Sequence, residues 1–432
     1  MRRGIAAIGA FALSATLAAC GPTGGSQSGS AAGAPSGADT AASSADGATS
    51  GQSGAAGTTG ELGTLTVWAD DTRYGQMVEL SEDFTAKTKI GLNVVKKSEA
   101  DMHEEFATQV PTGNGPDIII LAHDRLGALV ENGVVAPVDL GEAKSALSPS
   151  AVQGVTYKGQ TYGMPYAIES LALVRNNKIT KDEPKTFDEM ITSGKNAGAE
   201  RPFVVQAGTN NQLDPYHLYP FQTSFGAPVF KQDADGSYTT ELAMGGDEGK
   251  AFAEWVKTQA DAKTLDLALD ADITKQTFLD GKAAYTLTGP WNISAFREAK
   301  MDISVLPIPA AGSQEAKPFV GVQAFFASAK SEQPLLVAEF MKYMGTPDAQ
   351  QKLYDLGGRV PAITSVADKI EDPDAKAVAA VAAKGVPMPS LPQMNAVWEF
   401  WGATLGDIAA GKQAPDQGWT TMITNIQQKI TK

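Results

Sequence analysis

From Leu65 onward, apolar positions fall either into short continuous runs or into stripes at helical spacing. Leu65-Thr66-Val67-Trp68 predicts a first strand. Tyr74 to Lys87 carries Met77, Leu80 and Phe84 on one face, which predicts an amphipathic helix. Leu92-Asn93-Val94-Val95 predicts a second strand. Asp117-Ile118-Ile119-Ile120-Leu121 is apolar without alternation, the pattern of a strand buried on both faces of a parallel sheet. Leu126 to Asn132 predicts a helix that stops at Gly133, because glycine takes the left-handed cap conformation without steric cost. Strand, helix, strand, helix, strand is the grammar of an α/β lobe.

The alternation runs on. Ser170 to Arg175 and Val204-Val205-Gln206 predict further strands. Asp233-Ala234-Asp235-Gly236 sits between two extended pieces and predicts a hairpin turn, since the remaining ligands of a calcium loop are missing. Gly246 to Ala260 and Leu335 to Met344 predict amphipathic helices. Trp419, Met422, Ile423, Ile426 and Ile430 form one apolar stripe on a last helix, which reads as core.

The first 60 residues follow other rules. Met1-Arg2-Arg3 is cationic, and Gly4 to Thr16 is small and apolar, the length of a leader core but short for a membrane span. Leu17-Ala18-Ala19-Cys20-Gly21 resembles a bacterial lipobox, so residues 1–19 are expected to form a lipoprotein signal peptide and Cys20 to be acylated. Cys20 is the single cysteine, so no internal disulfide is available to it. Residues 20–60 are almost all Gly, Ser, Ala and Thr. They bury too little apolar surface to offset ordering entropy and are expected to act as a flexible tether. The expected location is the outer face of a cell membrane, with a Gram-positive envelope suggested by the long tether.

The chain has 432 residues, and the body beyond the tether exceeds one ordinary core, which predicts two lobes. A net charge of −14 without any basic stripe excludes nucleic acid as a partner. His103, His123 and His217 lack metal-ligand spacing, and neither a nucleophile elbow nor a nucleotide loop is present, so no catalytic, metal or cofactor site is expected.

Five phrases then stand in order. They are Thr112-Gly113-Asn114-Gly115-Pro116-Asp117 with Ala122-His123-Asp124-Arg125; Pro165-Tyr166-Ala167-Ile168-Glu169-Ser170; Phe278-Leu279-Asp280-Gly281-Lys282 running on to Gly289-Pro290-Trp291; Lys317-Pro318-Phe319-Val320-Gly321; and Met388-Pro389-Ser390-Leu391-Pro392-Gln393-Met394 ending at Trp398. Together they resemble the extracellular sugar-binding proteins of ABC importers, and among them the maltose/maltodextrin-binding branch. The resemblance implies a two-lobed periplasmic-binding-protein-like α/β fold with discontinuous lobes, residues 62–168 plus 323–371 and residues 169–322 plus 372–432, joined by a hinge. It implies a monomer without enzymatic activity that captures an α-glucan oligosaccharide and docks on separate permease and ATPase chains. It implies ligand contacts at Asp70, Asp71, Arg73, Glu104, Asp124, Arg125, Glu169, Asp214, Tyr216, Trp291, Met388 and Trp398.

These residue types suit a sugar. Carboxylates and Arg make charge-assisted hydrogen bonds to paired hydroxyls, and flat rings cover the C–H faces. Asp124 and Arg125 follow a buried strand at its C-terminal end, where α/β folds place ligands. Glu169 stands in an apolar run and needs a partner, for which a hydroxyl cluster qualifies. A surface ion pair for Asp124 and Arg125, and plain core for Trp291, Trp398 and Met388, are the alternatives. Leu121, Glu399 and Gly402 stand where the branch has a Trp, a Tyr and an Arg, which alters the stacking platform. Trehalose, sucrose or isomalto-oligosaccharides therefore stay open as ligands, and a surface glycan-active enzyme stays open as another class.

Overall fold

The computed structural model describes residues 55–233 and 238–431. The expected signal peptide, Cys20, the tether up to residue 54 and the turn residues Ala234 to Gly236 lie outside the described residues. On either side of that turn, Phe230–Gln232 and Tyr238–Leu242 pair antiparallel.

Two sheets organise the body. In the larger, the strands Ala55–Gly57, Ile90–Lys96, Gly63–Ala69, Ile118–Ala122, Phe319–Ala327, Gly163–Ser170 and Val360–Pro361 lie side by side in that order, and Val386–Pro387 pairs with the start of Phe319–Ala327. In the smaller, the order is Ile303–Leu306, Ala172–Asn176, Ala283–Thr288 and Arg201–Val204. Each sheet carries its own core. One gathers Leu65 to Ala167, Val322 to Ala327 and Val337 to Val366. The other gathers Leu171 to Phe319 and Val378 to Ile426. The chain is thus a mixed α/β protein of two discontinuous lobes. It crosses between them after Ser170, within Phe319–Ala327, and between Val366 and Val378.

Local chemistry sets the elements that matter below. Asp70 caps the helix Asp71–Thr88 by accepting from the Thr72 and Arg73 amides. Asp214 caps Pro215–Ser224 in the same way, with Pro215 in the first turn where its missing N–H costs nothing. The Trp419 stripe faces the core of the second lobe on the helix Pro415–Ile430, as its spacing predicts.

Three expectations are corrected. Ile118–Ala122 is buried, but its neighbours are mixed: Gly63–Ala69 runs parallel to it and Phe319–Ala327 antiparallel. The strand expected at Val204 to Gln206 is Arg201–Val204, because its ladder to Ala283–Thr288 begins at Arg201 and ends at Val204. The tether ends sooner than residue 60, since Ala55–Gly57 pairs antiparallel with Asn93 to Val95 as an edge strand. Ladder bonds need no large side chains, and here they forbid them: a Cβ on Gly57 would sit 1.9 Å from the Leu92 carbonyl oxygen.

A buried histidine ties the crossing together. The Val322 amide donates to His123 Nδ1 at 3.0 Å, and the ring also bonds the Met388 backbone. Nδ1 is therefore the unprotonated nitrogen. Burial holds His123 below its ordinary pKa. Burial and the Arg125 charge lower His103, on the helix Glu99–Gln109, from 6.5 to about 4. For both rings the unfolded chain takes up a proton that the folded chain resists, so stability is lost as pH falls below 6.5 and the loss from His103 is complete near pH 4. Melting temperature measured from pH 7 to pH 4 is expected to fall, and His103→Gln to flatten that limb; a variant profile parallel to the wild type would refute the assignment.

Candidate functional site

Strand register builds the floor of the site. Gly321 lies opposite Glu169, and Val360 lies opposite Ile168. Alternate residues share a face, so Glu169, Gly321 and Gln323 point the same way, and Arg359 arrives beside them just before Val360. Arg359 Nε donates to Glu169 Oε2 at 2.8 Å, and Gln323 Nε2 donates to Oε1. All three are buried, at 7% exposure for Glu169, 2% for Gln323 and 3% for Arg359. A Cβ on Gly321 would lie 3.3 Å from Glu169 Cγ, so glycine leaves the carboxylate its room.

A second ion pair stands next to the first. Arg73 pairs with Asp70, donates from Nε to the Tyr166 hydroxyl at 3.1 Å, and reaches within 3.9 Å of Glu169. Arg359 Nη2 donates to Thr72 Oγ1 at 3.2 Å, which joins the two pairs. Burial pushes the Asp70 carboxyl up, but Arg73, the Thr72 hydroxyl and Arg359 outweigh it and hold it below the ordinary carboxylate value. At Glu99 the balance tips the other way. Glu99 is exposed on its helix, yet the protein packed around its carboxyl raises it, and Asp70 and Glu169 add to this against Arg73 and Arg359.

A second wall joins the lobes. Trp398 Nε1 donates to Asp124 Oδ2 at 3.2 Å. Arg125 Nε lies 3.4 Å from the same carboxylate oxygen, and its Nη1 donates to Asn395 Oδ1 at 3.2 Å. Asp124 is buried, so these partners offset the loss of water. The Gly127 amide donates to the Ser390 carbonyl at 3.1 Å beside them.

The third wall belongs to the second lobe. Asp214 accepts from Gln206 Nε2 and from His217 Nδ1, both at 2.8 Å, besides capping its helix. Burial pushes the Asp214 carboxyl up, but His217 and these hydrogen bonds hold it below the ordinary value. His217 packs edge-on against Trp291 with centroids 6.3 Å apart. Burial raises the Tyr216 hydroxyl well above its ordinary pKa, and the charges of Glu169, Asp214, Glu99 and Asp124 add to it. Tyr216 therefore feels Glu169 of the floor and Asp124 of the second wall as well as Asp214 beside it.

Nine of the expected residues fall into these groups: Asp70, Arg73 and Glu169; Asp124, Arg125 and Trp398; Asp214, Tyr216 and Trp291. Three do not. Asp71 is exposed and pairs with Lys96 at 2.6 Å. Glu104 is exposed on its helix. Met388 lines a separate cavity of about 740 Å³ with His123, Val152, Tyr238, Val320 and Val322, and those two valines lie on the strand face opposite Gln323. Glu169 has its partners inside the chain, where a hydroxyl cluster was expected. Asp214 spends both oxygens on its helix and on Gln206 and His217.

Among the substituted positions, Leu121 is core and Glu399 pairs with Lys429 on the surface. A Cβ on Gly402 would lie 3.0 Å from the Leu213 carbonyl oxygen, so the loop before Asp214 closes on this helix position. Sequence reasoning missed Glu99, Tyr166, His217, Gln323 and Arg359. The signal for Gln323 was a lone amide in an otherwise apolar strand, and for Arg359 a lone cation before Val360-Pro361-Ala362.

Comparisons with known proteins follow this geometry. The family model described as bacterial extracellular solute-binding protein matches residues 79–383. The maltodextrin-binding protein of Bacillus subtilis is 27% identical over 380 residues, covering 85% of this chain and 90% of that one. The galactooligosaccharide-binding protein of the same organism is 24% identical over 378 residues, covering 85% and 89%. A crystal structure of a cyclo/maltodextrin-binding protein complexed with maltotetraose superposes with a TM-score of 0.69 at 29% identity, covering 85% of this chain and 97% of that one. With that family model matched over most of its length, the chain belongs to the bacterial extracellular solute-binding protein family.

Proposed function

We propose that this chain is the capture component of an ABC sugar importer and that it takes maltodextrin-type α-glucan oligosaccharides between its lobes. One observation carries the reading: at the turn after the first-lobe strand Ile118–Ala122, Asp124 and Arg125 meet Trp398 and Asn395 of the second lobe. Asp124, Arg125, Glu169 and Tyr216 offer charged and hydroxyl partners for sugar hydroxyls, and Trp291 and Trp398 offer ring faces for its C–H patches. Ligand drives closure about the crossing strands only by binding the closed form better. The loaded form then docks on permease and ATPase subunits that are separate chains. The relatives that bind maltodextrin in name support the ligand class. Leu121 and Glu399, which add no ring to the cleft, favour a second reading within the class, a shorter or differently linked α-glucoside.

Binding without turnover is part of the proposal, as are a monomeric state and attachment through acylated Cys20. Tryptophan fluorescence titrated with maltose, maltotriose, trehalose, sucrose and isomaltose is the test of the ligand. Saturation by maltotriose at micromolar levels is expected. A response only to another sugar reassigns the ligand, and silence to all sinks the proposal. Appearance of smaller sugars from maltotriose would make the chain an enzyme.

Trp291→Ala is expected to weaken maltotriose by roughly 10-fold or more, about 1.4 kcal/mol, with the melt nearly unchanged; unaltered affinity by calorimetry removes Trp291 from the site. Cys20→Ser is expected to move the protein from the membrane to the soluble fraction, and continued membrane retention would rule out the lipid anchor.

A further inference from the structure

Three successive residues at the end of the helix Pro347–Gly357 each meet a different part of the protein. Gly357 lies against the helix Asp71–Thr88, where a Cβ would sit 2.7 Å from Gln76 Oε1. Gly358 lies against the helix Pro290–Glu298, where a Cβ would sit 2.6 Å from Ser294 Oγ. Arg359 then enters the floor and holds Glu169. The Gly358 contact is one between lobes. Leu353 and Ala362 on either side of it belong to the first core, and Ile293 and Phe296 around Ser294 belong to the second.

The helix cap alone does not ask for this glycine. Gly358 ends its helix at φ +68°, and its amide donates to the Tyr354 carbonyl at 2.7 Å. Asn also takes that left-handed conformation at small cost. What Asn cannot do is admit Ser294, because its Cβ would fall well inside contact distance of the serine oxygen. The cap explains the backbone, and the approach of the second lobe explains the missing side chain. Ser294 stands about one turn after Trp291 on the same side of their helix, so where Ser294 comes to rest sets how near the indole comes to the floor. Packed lobes that turn about crossing strands stop where their surfaces meet.

We propose that Gly358 is the closure stop of the cleft, a positioning residue whose bare Cα lets the helix that carries Trp291 settle on the first lobe. The inference rests on the capture reading and deepens it, because it makes affinity depend on a contact between the lobes. A side chain at position 358 props the lobes apart, and Trp291 then covers its ring face from a distance at which dispersion has faded.

The test separates the stop from the cap. Calorimetry with the sugar that saturates wild type, alongside thermal melts, is run on Gly358→Asn, on Gly358→Ala, and on Gly358→Ala combined with Ser294→Ala. Asn keeps the left-handed cap, so its melt is expected to stay close to wild type while affinity falls roughly 10-fold or more. Ala strains the left-handed backbone, so both Ala chains are expected to melt below wild type. The single Ala variant is expected to lose affinity by roughly 3- to 10-fold as well. In the double variant the Ser294 oxygen is gone and Cβ, at 4.0 Å, makes an ordinary contact, so affinity is expected to return to within about 2-fold of wild type although the melt stays low. Gly358→Asn that binds like wild type overturns the stop. So does a loss in Gly358→Ala that Ser294→Ala leaves in place, which is the result expected of a substitution acting through the neighbouring Arg359. If Gly358→Asn does not fold, the two Ala chains decide alone. Either failure in a wild type that binds sugar overturns this inference only, whereas a wild type silent to every sugar overturns the capture reading and the inference with it.

Discussion

Glu169 stands as a carboxylate where water hardly reaches, and Arg359 supplies the charge that makes this tolerable. A buried anion left alone costs several kcal/mol, and removing one member of such a pair costs about 3–5 kcal/mol. The demand is structural before it is functional. Arg359 lies 190 residues from Glu169 in sequence, so the pair holds the strand Gly163–Ser170 against the short strand Val360–Pro361. Gln323 brings in the strand between lobes, and Thr72 and Arg73 bring in the first helix. Arg73 and Arg359 stand there against Asp70 and Glu169, with Glu99 as a further acid nearby.

The crossings inherit this geometry. His123 bonds the crossing strand at Val322 and the returning segment at Met388, while Asp124, the next residue, bonds Trp398. One tight turn after the strand Ile118–Ala122 therefore holds elements of both lobes at once. A movement of one lobe against the other changes these bonds together with the chain crossings and the Arg125–Asn395 and Gly127–Ser390 contacts. Asp124 and Trp398, which we propose as ligand contacts, are in this way also a bond between the lobes.

Much of this was legible in the chain. Runs and stripes gave the strands and helices of the body, since period and length follow directly from which face is buried. The phrases around Asp124 and Trp398 pointed to two residues that are hydrogen-bonded across 274 positions of sequence. Partners were not legible. Nothing near Glu169 says that its cation is Arg359, and nothing near Ile118–Ala122 says that its second neighbour arrives two hundred residues later and antiparallel. Asp71 and Asp70 are adjacent acids, yet one caps a helix under cover and the other meets solvent; only the direction of the first helical turn separates them. Met388 was expected at the cleft only from its match to the family, and the structure places it on the cavity beside His123, Val320 and Val322.

The edge strand Ala55–Gly57 has a consequence for the protein among its own copies. It occupies the hydrogen-bonding edge of Asn93 to Val95, which would otherwise offer unpaired amides and carbonyls to any extended chain nearby. Proteins crowded on one surface meet each other edge to edge far more often than in dilute solution. Two alanines and a glycine at the end of a low-complexity stretch thus act as a selvedge, covering the sheet edge against self-templated pairing with little apolar surface of their own.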